Sequence, residues 1–274
     1  MGIASAFNLT LPYLKDMPLK LLILGLLLIG WTRLATLILS INMIISTFGK
    51  RIFARFCSRF ADQYNNVSHD MKVDLFKDLN EMKKGEKINI LEIGAGPGAN
   101  FKYFNRDAVV QSVEPNLHFA KYFEDNRAKY PNLEIKDVKE GFGEDLASAG
   151  IADNSVDAVV MTLVLCSVQD QQKCLQEIRR VLKDGGKFFY LEHIIGGDGS
   201  YTKALQKLLM TGGFWSFMAD GCCLDRDTDR QVLTAGFDEV DQKKFELPIP
   251  KGAPITFKMF GPILRPHVMG VASK

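Results

Sequence analysis

The sequence has no excess of charge of either sign. Its 34 basic and 32 acidic residues leave a formal net charge of +2. Nucleic-acid binding depends on neutralising phosphates with many basic side chains. A chain with nearly equal numbers of basic and acidic residues cannot supply that neutralisation. The composition therefore argues against nucleic acid as a partner.

Cysteines are few and lack the spacings that build structural sites. There are five, an odd number, with no C-x-x-C pair and with Cys222 adjacent to Cys223. This pattern fits neither a disulfide framework nor a zinc site, so we expect no metal and a reducing environment around the catalytic part. Low-complexity tracts are also absent, and 274 residues suffice for one catalytic domain with an appendage.

An apolar run dominates the N-terminal part. Residues 21–48 carry no charge apart from Arg33, which splits the run into stretches of roughly 12 and 15 residues, each short for a bilayer. A spanning helix, a re-entrant hairpin and an interfacial helix stay open, and we favour an anchor lying at the membrane surface. Basic residues follow the run, which predicts a cytosolic catalytic part: Lys50, Arg51, Arg55 and Arg59.

Apolar residues recur every three to four positions between Phe53 and Met82, which predicts an amphipathic helix. We therefore divide the chain into a membrane anchor over residues 1–49, a helical lead-in over 50–85 and a catalytic domain over 86–274. Membrane lipid is an expected partner of the first segment.

A glycine-rich loop indicates a ligand. Residues 88–101, INILEIGAGPGANF, read as a strand, a tight turn and a helix start, where glycines let the backbone approach a bound molecule. The spacing also satisfies the looser pattern of dinucleotide sites. Glu114 ends the next strand, where a carboxylate can accept hydrogen bonds from ribose hydroxyls, and Glu92 can lie near the ammonium group of a methionine moiety. Nicotinamide cofactors have no such ammonium, so S-adenosylmethionine is the predicted cofactor.

The order of elements predicts an α/β fold. Strand signals at 109–114, 133–138, 156–164 and 187–194 alternate with helical stretches near 116–130 and 170–182, as in a doubly wound parallel sheet. The last two strand segments are expected to close the sheet as an antiparallel pair. The apolar segment 201–224 has the composition of a core stripe, or of a roof over an acceptor pocket.

Beyond the loop, the sequence resembles the class I methyltransferases, and in particular the membrane-associated methyltransferase-like group that methylates alkyl thiols. The resemblance extends over roughly residues 50–274 and includes TLVLCSV (162–168), DGCCL (220–224) and RPHVMGVASK (265–274). It implies a Rossmann-like, mostly parallel seven-stranded sheet, a small lipophilic thiol as acceptor, and residence at endoplasmic reticulum membranes or lipid droplets. Phe142 stands where many class I methyltransferases have an aspartate that reads adenine.

These arguments give two sets of candidate residues. Ligands bind beyond the carboxyl ends of the strands in such sheets, and His193 lies there with a side chain that titrates near neutral pH, so it is the first candidate to deprotonate or orient a thiol. The resemblance adds Asp220 and His267 as further catalytic candidates. The predicted cofactor-binding residues are Glu92, Gly94, Gly96, Gly98, Glu114, Pro115, Phe142, Gly143, Glu144 and Leu163.

Other functions remain compatible with the sequence. The same fold and anchor would serve C-, O- or N-methylation of a lipid or quinone. A scaffold that keeps a vestigial cofactor fold is a candidate from another class, which the intact loop carboxylates and glycines argue against. Methyl transfer from a sulfonium to a thiolate is an in-line displacement that requires no metal.

Overall fold

The structure is a computed structural model that describes residues 19–249, 251–253 and 255–274. The first 18 residues of the predicted anchor lie outside this range. The chain divides into two compact units, residues 1–48 and residues 49–274.

Helices make up the N-terminal part and flank the strands. In chain order they are α1 Leu19–Val67, α2 His69–Leu75, α3 Lys77–Glu81, α4 Ala120–Arg127, α5 Gln171–Val181, α6 Tyr201–Met210, α7 Phe214–Met218, α8 Thr228–Leu233 and α9 Ile255–Leu264. The predicted amphipathic helix between residues 53 and 82 is helical but is broken into three pieces, at Ser68 and at Phe76.

The catalytic unit is built on one seven-stranded sheet. Its strands are β1 Ile88–Ile93, β2 Ala108–Val113, β3 Glu134–Ile135, β4 Val156–Thr162, β5 Leu182–His193, β6 Glu239–Glu246 and β7 Pro266–Ser273. They lie in the order β3-β2-β1-β4-β5-β7-β6. The first five are parallel, and β7 is antiparallel to both β5 and β6. The predicted Rossmann-like sheet with an antiparallel C-terminal pair is confirmed.

Both faces of the central strands are buried, which explains their nearly continuous apolar sequence. Successive side chains point to opposite faces: on β4, Ala158 and Val160 join one hydrophobic cluster, whereas Val159 and Met161 join the other. This arrangement leaves the carboxyl ends of β1, β2, β4 and β5 along one edge of the sheet, where the loops that follow them can form a site.

Two apolar regions are exposed. On α1, a set of large apolar side chains in the unit of residues 1–48 is between 48% and 69% exposed: Leu27, Leu28, Trp31, Leu34 and Leu37. Among the residues described, no helix combines the length and the apolar character that crossing a membrane requires. On α6 and α7, Leu208, Phe214 and Phe217 are also exposed, so the segment 201–224 does not form the core stripe that its composition suggested.

Candidate active site

The loop after β1 requires glycine for two separate reasons at Gly94. Its φ of +64° lies in the left-handed region, and a Cβ there would lie 2.4 Å from a methyl carbon of Val164. Gly96 and Gly98 also have positive φ. The Gly96 N–H donates to Glu114 Oε2 at 2.9 Å, which ties the loop to the end of β2. The predicted turn is therefore formed as a compact, hydrogen-bonded structure.

This loop borders a cavity of ≈ 200 Å³, which we call the cofactor cavity. Five residues predicted from the sequence line it: Gly94, Glu114, Pro115, Leu163 and Asp220. Asp220 was predicted on the acceptor side, but it lies here and accepts a hydrogen bond from the Asn116 side chain at 2.9 Å. Its place is therefore beside the ribose candidate Glu114 and not beside the histidines.

Glu114 is held with both carboxylate oxygens in fixed positions. Oε2 accepts from Gly96 N and Oε1 accepts from Asn116 N, each at 2.9 Å. Burial raises the pKa of Glu114 to about 7, although the two backbone hydrogen bonds oppose that rise. A carboxylate oriented in this way retains lone pairs that can accept hydrogen bonds from vicinal hydroxyls of a ribose.

A buried lysine forms the opposite wall of the cofactor cavity. Lys72 is 1% exposed, and its ammonium donates to Asn65 Oδ1 at 2.8 Å and to Asn100 Oδ1 at 2.7 Å. An ammonium has three hydrogens, so one remains for a ligand in the cavity. Burial lowers the pKa of Lys72 to about 7, and the nearby carboxyl of Glu92 opposes that change.

Sequence reasoning missed Lys72, Asn65 and Asn100. The available signal was the position of Lys72 on the helical stripe that includes Phe76 and Leu79, both of which are buried. A lysine on an apolar stripe must find a partner, because an unpaired buried charge is costly.

Glu92 lies behind this wall and not on it. It is 1% exposed, and its Oε1 accepts from the side chain of Asn100 at 2.8 Å, while Oε2 has no partner within the described part of the chain. Burial raises its pKa to about 7, whereas Asn100 and Lys72 lower it. The structure thus brings Glu92 to the cofactor region, with Asn100 between it and the cavity.

The three predicted adenine-loop residues do not line the cofactor cavity. Phe142 is 53% exposed. Gly143 packs so tightly that a Cβ would lie 2.8 Å from Cys174 Sγ. Glu144 accepts from the backbone N–H groups of Gln169 and Asp170, just before α5 begins, which is a structural role at a helix start.

A second, apolar cavity of ≈ 30 Å³ adjoins the first, and we call it the acceptor pocket. The two share Phe60, Tyr64 and Leu163 in their walls. Its remaining lining residues come from β5, from the segment around α9 and from β7: His193, Leu247, Phe260, Gly261, Leu264 and His267. The roof on this side is therefore α9 and not the segment 201–224.

Leu163 separates the two cavities in an unusual backbone conformation. Its φ is +58°, a left-handed value that leucine rarely adopts, and its N–H donates to the carbonyl of Leu191 at 2.9 Å. Such conformations persist where the surrounding structure enforces them, often at functional sites.

His193 and His267 face each other across β5 and β7, where they are paired in register. His193 is 3% exposed, and its Nε2 lies 3.2 Å from Cys222 Sγ. Burial disfavours its charged form, but Cys166 and Glu192 outweigh that effect and hold the pKa of His193 above its usual value. Its Nδ1 has no partner among the residues that the structure describes.

His267 is the less basic of the two. Burial, followed by the proximity of His193, lowers its pKa to about 3. Its Nδ1 lies 3.1 Å from the carbonyl oxygen of Arg265, which assigns the proton to Nδ1 and leaves Nε2 as an acceptor. Nε2 has no partner in the described residues. The pocket thus contains a basic and a neutral imidazole side by side.

A third cavity, of ≈ 690 Å³, lies elsewhere. It is lined by charged side chains, among them Asp198, Lys203, Arg230 and Lys244, and it shares only His267 with the acceptor pocket. None of the loop glycines or carboxylates borders it. The cofactor cavity and the acceptor pocket are therefore the pair that can support chemistry on a bound methyl donor.

Comparison with known proteins agrees with this geometry. A family described as "Methyltransferase domain" matches residues 91–190. The chain is 33% identical over 226 residues to thiol S-methyltransferase TMT1A of Homo sapiens, covering 82% of this chain and 87% of that protein. It is 35% identical to thiol S-methyltransferase TMT1B of Homo sapiens, covering 77% and 81% respectively.

Solved structures share the fold at low identity. The carbon methyltransferase of CurJ aligns with a TM-score of 0.52 and 19% identity, covering 76% of this chain and 55% of that one. The [4+2]-cyclase SpnF aligns with a TM-score of 0.51 and 13% identity, covering 79% and 80%. Because proteins with different activities share this fold, the function has to be argued from the site.

Proposed function

Because the chain belongs to the family of the thiol S-methyltransferases TMT1A and TMT1B, we propose that it transfers a methyl group to the sulfur of small lipophilic thiols. It is an S-adenosylmethionine-dependent methyltransferase. The observation that carries the choice of acceptor is the apolar pocket that adjoins the cofactor cavity and contains two imidazoles.

The residues of the cofactor cavity fit S-adenosylmethionine. Glu114 would accept hydrogen bonds from the ribose hydroxyls, and the free N–H of Lys72 would pair with the carboxylate of the methionine moiety. Glu92 would hold Asn100, and through it Lys72, in position. The bound cofactor supplies an activated methyl group on a sulfonium sulfur.

The acceptor side would hold and deprotonate the thiol. His193 accepts the S–H proton, because its raised pKa makes it the more basic imidazole, and His267 packs beside it as a neutral ring whose Nδ1 faces the carbonyl of Arg265. The resulting thiolate sulfur would be the nucleophile for the methyl group that a bound cofactor would supply. The proton leaves from His193 to solvent, and the products are a thioether and S-adenosylhomocysteine.

The apolar wall serves this chemistry in two ways. Leu247, Phe260 and Leu264 exclude water, which would compete as an acceptor and solvate the thiolate. The cavity of ≈ 30 Å³ has room for the thiol group, and its apolar walls would contact the part of an aliphatic or aromatic tail next to the sulfur.

A panel of acceptors that share one tail tests this function. Labelled S-adenosylmethionine would be offered with hexane-1-thiol, hexan-1-ol and hexylamine, and with a quinone and a phospholipid. We expect transfer to the thiol alone among the three hexyl compounds. Transfer to the alcohol, the amine, the quinone or the lipid, without transfer to any thiol, would refute the assignment of sulfur as acceptor.

We also propose that the protein acts at a membrane or lipid-droplet surface, with the catalytic unit in the cytosol. Support comes from the exposed apolar side chains of α1 and of α6 and α7, because contiguous exposed apolar surface is unfavourable in water. The double variant Trp31→Glu/Leu34→Glu should lose flotation with liposomes and with phospholipid-coated oil droplets. Leu233→Glu, which changes an exposed leucine on α8, is the matched control. Equal flotation of the wild type, the double variant and Leu233→Glu would contradict the proposal.

A further inference from the structure

Two thiols and an imidazole lie together at the carboxyl ends of β4 and β5. The Sγ atoms of Cys166 and Cys222 and a ring nitrogen of His193 all lie within 4.8 Å of one another. Cys166 and His193 are buried, and Cys222 is half-buried. No C-x-x-C pair marks this cluster in the sequence, because the three residues are separated by 27 and 29 positions in the chain.

The backbone holds this cluster in place independently of the side chains. The N–H of Cys223 donates to the carbonyl of Cys166 at 2.9 Å, which fixes the 220–224 loop against the end of β4. Gly221 has a φ of +93°, and a Cβ on it would lie 3.1 Å from the carbonyl oxygen of Ser167. The close approach of the two cysteines is thus built into the loop and does not depend on a bound ligand.

The donor set identifies the class of ligand. Two thiolates and one imidazole are the protein ligands of Cys₂His zinc sites, which keep a fourth position open. Zinc–sulfur bonds of about 2.3 Å and zinc–nitrogen bonds of about 2.0 Å place the donor atoms about 3.5 to 3.8 Å apart in a tetrahedron. Small side-chain rotations reach this spacing from the observed one. Hard cations such as Mg²⁺ and Ca²⁺ prefer oxygen ligands, and this cluster offers none.

We infer that Cys166, His193 and Cys222 form a binding site for a thiophilic divalent cation, Zn²⁺ above all, and that its occupation inhibits methyl transfer. Binding of Zn²⁺ displaces one proton from each thiol and forms two zinc–thiolate bonds, so that no oxidant or reductant is needed. The inhibitory part of this inference rests on the proposed function of His193.

Inhibition follows from the chemistry of imidazole. A neutral ring has one nitrogen that carries a proton and one with a lone pair. When the cation occupies one nitrogen, the other carries the proton, and the ring has no lone pair left for the thiol. Of the two imidazoles in the acceptor pocket, only His267 then stays free of the cation, and its Nδ1 already faces the carbonyl oxygen of Arg265.

Cobalt titration of the full-length chain tests the site directly. Co²⁺ replaces zinc in such sites and gives a thiolate-to-cobalt charge-transfer absorption that zinc lacks. We expect saturation at one Co²⁺ per chain, displacement by Zn²⁺, and loss of most of the charge-transfer absorption in Cys222→Ser. Cys223→Ser is the matched control, because this neighbouring cysteine lies outside the cluster. Losing one of three ligands should weaken Zn²⁺ binding by at least about tenfold.

A methylation assay in zinc-buffered solution tests the inhibition. Zn²⁺ should inhibit thiol methylation by the wild type and by Cys223→Ser, a chelator should restore the rate, and Cys222→Ser should be resistant at the same free Zn²⁺. The absence of a cobalt spectrum, or identical spectra for the two serine variants, would overturn the site. Cobalt binding with an unchanged or raised methylation rate would overturn the inhibition. Absence of all thiol turnover would instead refute the proposed function, since the cobalt spectrum does not require turnover.

Discussion

The two sides of the active site are built in opposite ways. The cofactor side sets charged and polar side chains among apolar ones, and a single loop after β1 supplies five of its lining residues: Gly94, Ala95, Pro97, Ala99 and Asn100. The acceptor side is apolar and is assembled from α1, the end of β5, α9 and β7, which are far apart in the chain. A general cofactor can therefore be recognised by a local motif, whereas acceptor choice depends on tertiary packing.

The sharpest test of this division is a change that affects one side only. His193→Gln should lower the rate of thiol methylation by about a hundredfold or more, since a positioned general base contributes about 10²- to 10⁴-fold. Affinity for S-adenosylhomocysteine, measured by calorimetry, should stay unchanged because His193 does not line the cofactor cavity. His118→Gln, at an exposed histidine, is the control. Equal rates for the two variants would remove His193 from the chemistry.

The complementary change breaks the cofactor side. Gly94→Ala forces a Cβ onto a left-handed residue and towards Val164, and we expect affinity for S-adenosylhomocysteine to fall by about a hundredfold, equivalent to about 2.8 kcal/mol. Gly197→Ala, at a glycine with open space and no positive φ, should bind normally. Calorimetry on both variants checks this, and near-native affinity in Gly94→Ala would show that the loop adjusts.

Lys72→Met tests the wall that the sequence did not reveal. Loss of a charged hydrogen bond to the methionine carboxylate should weaken S-adenosylmethionine binding by about thirtyfold, in line with about 2 kcal/mol for such a bond. Decarboxylated S-adenosylmethionine should bind the variant and the wild type equally well. A weakening of the same size for both ligands would mean that Lys72 only maintains the structure of the cavity and does not bind the methionine carboxylate.

The smallest effect concerns pH. Glu114, with a pKa raised to about 7, gains its charge as the pH rises, whereas Lys72, with a pKa lowered to about 7, loses its charge. Affinity for S-adenosylhomocysteine should therefore pass through a maximum near pH 7 and fall by less than about tenfold one unit to either side. Glu114→Gln should remove the acidic decline and Lys72→Met the alkaline one. A profile that neither variant changes would exclude both groups as its cause.

Sequence reasoning succeeded where the determinants are local. The strand periodicity and the glycine loop predicted the sheet, and Glu114 was placed on the cofactor cavity because it ends the next strand. It went wrong where the placement depends on distant packing. Asp220 lies on the cofactor side, where it accepts a hydrogen bond from the side chain of Asn116. The acceptor pocket is lined by α9 and not by the segment 201–224.

The sequence also did not reveal which charged and polar side chains the helices bury. The spacing that correctly predicts a helix around Lys72 is insensitive to which polar residue the helix buries, and only the tertiary structure shows that Asn65 and Asn100 meet it. The cysteine cluster was missed for the same reason, since its three residues come from distant parts of the chain and leave no short spacing to detect.

The left-handed conformation of Leu163 has a consequence for chemoselectivity. Glycine would adopt that backbone without strain, so leucine at this position costs about 1 to 2 kcal/mol of folding free energy. Its isobutyl group contributes to the walls of both the cofactor cavity and the acceptor pocket. Leu163→Gly would relieve this strain but also remove a side chain that packs against the core, and we expect the variant to lose part of its methyl donor to hydrolysis without delivering every methyl group to a thiol.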